Sequence, residues 1–127
     1  MGGGSSVYFA VICDDEIIGG INLVKNGDEY SWGLFFKPNV SSFLISACVF
    51  RFLEFAFKRA FNLNALVKNV NETALKFDYT FGFIFKRSDE IFSYLSQNKE
   101  QWQEHKKTKL MQKIAKTSES FKIEILE

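Results

Sequence analysis

The sequence predicts an α+β domain, a mixed sheet with helices on its faces. Three observations point there. Short apolar runs bounded by turn residues open the chain at 7–13, 17–24 and 30–36. A long, nearly all-apolar helical stretch follows at 44–61, and a segment too short for anything but a strand comes next, ending at Asn69. At 127 residues with 46% hydrophobic and 24% charged content, the chain has the size and composition of one folded domain.

Residues 7–13 (VYFAVIC) are apolar throughout, as expected of a strand buried on both faces. Asp14-Asp15-Glu16 makes the turn into 17–24, where Gly19-Gly20 predicts a bulge or a close backbone approach. Asn26-Gly27-Asp28 is a strong hairpin signal and leads into 30–36 (YSWGLFF), so the first three strands read as an antiparallel meander. In the helix at 44–61 the polar residues Arg51, Glu54 and Lys58 share one stripe, with Glu54 and Lys58 in the favourable i,i+4 order. A strand–helix–strand crossover of this length predicts that 65–69 pairs in parallel with 30–36. Asn71 reads as the N-cap of a short helix ending near Thr80, with Val70 and Leu75 as its hydrophobic staple. A second hairpin, 82–86 and 90–95, is expected around Arg87-Ser88-Asp89. Residues 100–116 read as one weakly amphipathic helix anchored by Trp102, Leu110 and Ile114, and 121–126 as a short last strand.

Composition excludes several classes. A net charge of +1 gives no global field for nucleic acid. No apolar run reaches the roughly 18–20 residues of a membrane span. Cys13 and Cys48 lie in apolar runs without metal-ligand spacing, the pattern of buried reduced thiols and of a cytoplasmic protein. His105, the single histidine, falls on a lysine-rich helix and has no catalytic partner in sequence, and no metal site is expected. Lys106, Lys107, Lys109, Lys113 and Lys116 read as a solvated helix face, with weak contact to an anionic partner as the alternative. The expected organisation is a flexible leader at 1–6, a domain at 7–97, and a lysine-rich helix with a tail at 98–127.

Tyr8-Phe9, Ile17-Ile18-Gly19, Gly33-Leu34, Lys37-Pro38-Asn39, Ala56-Phe57 and Asn71-x-x-Ala74-Leu75-Lys76 occur in that order. With the element order, they resemble the acyl-CoA-binding half of the GNAT N-acetyltransferase superfamily, and within it the nucleotide-sugar N-acetyltransferases of pseudaminic acid biosynthesis. The resemblance implies a GNAT-like, mostly antiparallel sheet with one parallel pair diverging toward its C-terminal ends. It also implies acetyl-CoA as co-substrate and an amino-sugar nucleotide as acceptor. Other amines, on a protein N-terminus or a small molecule, and a truncated homologue that only folds or binds, are the alternative readings. The family has a strand and two helices before the point matching Val7, so an N-terminal segment or a second copy is expected to cover one sheet face.

Site residues follow from the same resemblance. Backbone amides around Leu34, Phe35 and Phe36 would polarise the acetyl carbonyl, oxyanion stabilisation that needs no particular side chain. The pyrophosphate would sit on the turn opening the long helix, here 39–46. That turn holds no glycine, lysine or arginine. Ser41, Ser42 and Ser46 remain as hydrogen-bond donors, or Ser41 or Ser42 simply caps the helix, while Phe43 and Leu44 are bulky where the backbone should come close. Asn71 would serve both as cap and toward the cofactor. The family's proton-donating tyrosine falls at Asp78, with Phe77 as the preceding aromatic and Tyr79 one residue further on, rotated by about 100°. An exposed, ionised Asp78 could donate no proton, so Tyr79 is the expected donor to the departing thiolate.

Overall fold

A computed structural model describes residues 5–27 and 29–127. The leader expected at 1–6 lies outside it as far as residue 4, as does Asp28 of the predicted hairpin. Eleven elements follow in the order β1 (Ser5–Cys13), β2 (Glu16–Asn26), β3 (Glu29–Phe36), α1 (Ser42–Ala56), β4 (Asn62–Lys68), α2 (Glu72–Thr80), β5 (Ile84–Ser88), β6 (Phe92–Asn98), α3 (Lys99–His105), α4 (Lys109–Ser118) and β7 (Ile123–Leu126). They build one seven-stranded sheet in the order β5-β6-β4-β3-β2-β1-β7. The α+β class and the mostly antiparallel sheet are as predicted. Every paired neighbour is antiparallel except β3 and β4, which run parallel.

The β2–β3 hairpin forms in the register that Asn26-Gly27 sets, from Asn26↔Glu29 to Gly19↔Phe36. Gly19 and Gly20 mark a close approach. A Cβ on Gly19 would meet the Phe35 carbonyl oxygen at 2.4 Å, and one on Gly20 would meet the Phe35 ring at 2.8 Å. The register slips nearby, between Val11 and Ile12 of β1. β1 departs from the expectation of burial on both faces. Phe9, Val11 and Cys13 are buried, whereas Tyr8 is 70% exposed. The alternation has a simple cause: α1 covers only one face, where Phe52 and Phe55 pack edge-on to Phe9. On the other face Tyr8, Phe35 and Leu126 remain exposed.

Four helix expectations need correction. α1 ends at Ala56, not Phe61: the amides of Lys58 and Arg59 switch to Phe55 and Ala56 carbonyls three residues back, tightening the chain toward β4. Its polar stripe is not a wet face. Arg51 donates to the Ser118 carbonyl at 2.9 Å, and Glu54 accepts from the Trp102 indole and pairs with Lys106, both at 2.9 Å, rather than with Lys58. Residues 100–116 form two helices, because Thr108 caps a new one through the Met111 amide. Trp102 and Met111 are wholly buried against α1, and Leu110 faces out. At Asn71 the cap forms as read, its side chain accepting the Ala74 amide at 3.1 Å. The staple does not, since Val70 is exposed.

The second hairpin turns later than expected. Asp89 accepts the amides of Phe92 and Ile91, which hold its carboxyl below the usual range, and β6 starts only at Phe92. The last strand joins β1 as an antiparallel edge. Both cysteines are buried free thiols, and burial pushes Cys48 up to about 12. No helix among the described residues is long and apolar enough to cross a membrane.

Gly82 makes the sharpest local demand. Its φ is +95°, and a Cβ there would lie 2.3 Å from Gln97 Nε2 and 2.7 Å from the His105 ring. His105 is structural: its Nε2 lies 2.8 Å from the Thr80 carbonyl oxygen. Gly82→Ala is predicted to cost about 2–4 kcal/mol through strain and overpacking. Gly27→Asn, in open space at φ +62°, should cost well under about 1 kcal/mol. Urea denaturation of the two variants checks the contrast, and equal losses would refute it.

Candidate active site

β3 and β4 pair at only two positions, Tyr30↔Leu63 and Ser31↔Asn64. Beyond them the strands separate, and the gap is a cleft of about 490 Å³. One wall is the edge of β3 from Trp32 to Phe36, continuing to Lys37. The other is Ala65, Leu66 and Val67 of β4. Ile45 of α1 and Asn71, Thr73, Ala74, Phe77 and Asp78 at α2 complete the lining. The separation follows from what grips each strand on its other side. β2 holds β3 along its length, and β6 holds β4 from Asn62↔Asn98 to Lys68↔Phe92. Trp32 stacks between Phe52 and Phe83 at 5.6 and 5.5 Å, which fixes β3 at the point of divergence. Its indole nitrogen is buried without a hydrogen-bond partner among the described residues.

The structure brings together six of the residues singled out in sequence. Leu34, Phe35, Phe36, Asn71, Phe77 and Asp78 all line the cleft. Ser41, Ser42, Ser46 and Tyr79 do not. Ser41 caps α1, its hydroxyl accepting the Leu44 amide at 3.2 Å, and Ser42 is the first helical residue. Asn39 takes the positive φ (+72°) that a glycine would otherwise provide in this turn. Phe43 beside them projects into solvent, 72% exposed.

Asp78 contradicts the expectation of a solvated carboxylate. It is 8% exposed, whereas Tyr79 is 44% exposed and turned away from the cleft lining. Burial alone pushes the Asp78 carboxyl up to about 7, with no neighbouring charge or hydrogen bond contributing. Removing a carboxylate from water penalises its charged form, and no partner here offsets that cost. Its backbone carbonyl is satisfied by the amides of Phe81 and Phe83.

No protein-family model and no curated protein sequence matches the chain. Solved structures do. The Campylobacter jejuni N-acetyltransferase PseH superposes with a TM-score of 0.67 at 28% identity, over 74% of this chain and 68% of that one. The fold is that of the GNAT N-acetyltransferases. FdhC, a nucleotide-linked sugar GNAT, gives a TM-score of 0.72 at 17% identity, over 84% of this chain and 65% of that one. The PaiA N-acetyltransferase of Thermoplasma acidophilum, solved with coenzyme A, gives 0.63 at 17%, over 73% and 60%. The chain thus spans about two thirds or less of the length of these GNAT structures.

Within this GNAT fold, sequence reasoning missed Thr73, Ile45 and Lys37 as lining residues, and it missed the burial of Asp78. A signal for the last was present. Asn71, Ala74 and Asp78 stand at i, i+3 and i+7, one face of a helix, so a cap that meets the cleft carries Asp78 into it.

A raised carboxyl makes stability fall with pH. The unfolded chain releases this proton near the ordinary 3.8, whereas the folded chain keeps it to about 7. Stability linked to Asp78 is therefore complete below about pH 4 and is lost as pH rises through 7. Asp78→Asn removes that dependence. The variant is predicted to gain on the parent between pH 5 and 8 by on the order of 2 kcal/mol in denaturation experiments. Parallel stability curves over that range would contradict the assignment.

Proposed function

We propose that this chain is an acetyl-CoA-dependent N-acetyltransferase whose acceptor is an amino group on a nucleotide-linked amino sugar. The observation that carries the reading is the divergence of a parallel strand pair after two residue pairs, which leaves backbone donors and acceptors of β3 and β4 facing a cleft. Its support on the acceptor side is the likeness at 28% identity to PseH, an N-acetyltransferase also solved with acetyl coenzyme A, and the shared fold with a nucleotide-linked sugar GNAT.

The co-substrate supplies an acetyl group activated as a thioester. Unpaired main-chain groups along 32–36 and 65–67 would hydrogen-bond its extended, amide-containing arm as a third strand would. Amides around Leu34, Phe35 and Phe36 would face the acetyl oxygen, and fixed dipoles of this kind lower the barrier without reorganising. Ile45, Phe77 and Ala74 keep the cleft apolar, which strengthens those dipoles by excluding water. Asn71, committed through its side chain to the α2 cap, holds that wall in place. The diphosphate end fits less well. The turn before α1 offers amides and the serines 41, 42 and 46, but no cation, and Phe43 stands beside it.

That turn also favours a second reading, a homologue that binds acyl-CoA or a partner without turnover. Titration calorimetry with acetyl-CoA, followed by a thiol-release assay with amino-sugar nucleotides and simple amines, separates the two. Binding is expected, and weaker than about 10 µM in Kd, because the turn forgoes the charge-assisted contacts that each contribute about 1.5–3 kcal/mol. Replacing 41–46 with a basic, glycine-rich turn should tighten binding tenfold or more. Low-micromolar affinity of the parent, with no gain on replacement, would refute this account of the turn. No binding at all would refute the acyltransferase reading.

A further inference from the structure

Asp78 lacks the surroundings of a structural carboxylate. Among the described residues it has no ion pair, yet it sits at 8% exposure in the wall of the cleft, on the α2 face that also carries Asn71 and Ala74. Among the described residues, Lys37 is the one other charged residue of the lining, and its ammonium lies 3.7 Å from Glu16 on β2. The charged neighbours on α2, Glu72 and Lys76, are exposed, as is Tyr79. Arg51 and Glu54 of α1 are engaged by Ser118 and by Trp102 with Lys106. Lys68 of β4 and Lys86 and Arg87 of β5 are exposed and outside the cleft lining. Such a carboxyl costs stability wherever it ionises, and among the described residues no hydrogen bond or ion pair offsets that cost. A proton held beside the reacting groups explains its place.

We propose that Asp78, buried in the wall of the cleft, is the acid that delivers a proton to the thiolate expelled during acyl transfer there. This rests on the acyl-transfer reading above and adds the proton path. The amine lone pair forms a bond to the thioester carbonyl carbon. The carbon–sulfur bond then breaks, its electron pair stays on sulfur, and the Asp78 carboxyl proton passes to that sulfur. The extra N–H proton of the new amide leaves to water, and Asp78 regains a proton from water, so the net transfer is one proton from amine to thiol. The energetics suit the task. A carboxyl at about 7 is a stronger acid than an ordinary thiol near 8.5, so the transfer is downhill, yet it is still substantially protonated at neutral pH. A phenol near 10 would donate uphill.

The test uses the full chain. Carboxyl carbon-13 NMR should show one aspartate titrating near 7, assigned by its absence in Asp78→Asn, and shifted by acetyl-CoA. Asp78→Asn should lower kcat about 10- to 1,000-fold, within the range for a lost general acid. It should leave the acetyl-CoA Kd within threefold and abolish the alkaline fall of the kcat–pH profile. Should Asp78→Asn not fold, backbone-correlated assignment in the parent chain still gives the titration. An ordinary Asp78 titration would overturn the proposal. So would full turnover in Asp78→Asn, or loss of the alkaline limb in Tyr79→Phe instead. Each of these leaves the acyltransferase reading standing if acetyl-CoA binds and turns over. Failure of the parent chain to bind acetyl-CoA would sink both.

Discussion

The cleft of this chain depends on a parallel strand pair that is not allowed to continue. β3 and β4 share two residue pairs, and each is then committed to an antiparallel neighbour that carries it away. Open ladder groups normally invite another strand or water. Here they are enclosed by α2 and the start of α1, so the open edge becomes the wall of a cleft. The Phe52–Trp32–Phe83 stack supports this geometry, because it clamps β3 between the helix layer and the segment after α2 at the point where pairing stops.

The second support lies behind α1. Arg51 and Glu54 look in sequence like a narrow solvent stripe, but they are the docking points for α3 and α4. Trp102 is the hinge of this arrangement: its ring packs on Phe50 and Phe57, and its nitrogen is satisfied by Glu54. A buried indole without that carboxylate would leave an unmet donor in the core, a cost of about 1–3 kcal/mol. The C-terminal third is thereby joined to the same core as the cleft, and β7 extends the same sheet.

Much of this was legible from local chemistry. Asn26-Gly27 fixed a hairpin, the crossover length fixed a parallel pair, and Asn71 fixed a cap, because each depends on a few adjacent residues. The misjudged features depend on distant ones. The end of α1 at Ala56 is set by where β4 must begin, and the Thr108 break by the seating of Trp102 and Met111 on α1. Val70 lacks its staple because the chain leaves β4 with that side chain facing solvent. Asp78 was misread for the same reason. An aspartate in a short polar helix looks solvated until the wall opposite is known, and that wall comes from β3, more than forty residues earlier.

On the proposed reading, the α1 turn outside the cleft lining and Asp78 within it would act on different quantities. At the α1 turn the missing glycines and cations would weaken ground-state attraction for a diphosphate, which lowers affinity whether or not chemistry follows. At α2 the carboxyl that replaces a phenol would matter only once a leaving group carries charge, which affects the barrier and leaves binding nearly untouched. If the acyl-transfer reading holds, a cleft walled largely by strand edges would tolerate the first change, since the acyl end would keep its amides whatever the phosphate turn offers. On the proposal for Asp78, the second would be tolerated because desolvation would supply by position what a phenol supplies by chemistry, a group still protonated near neutral pH.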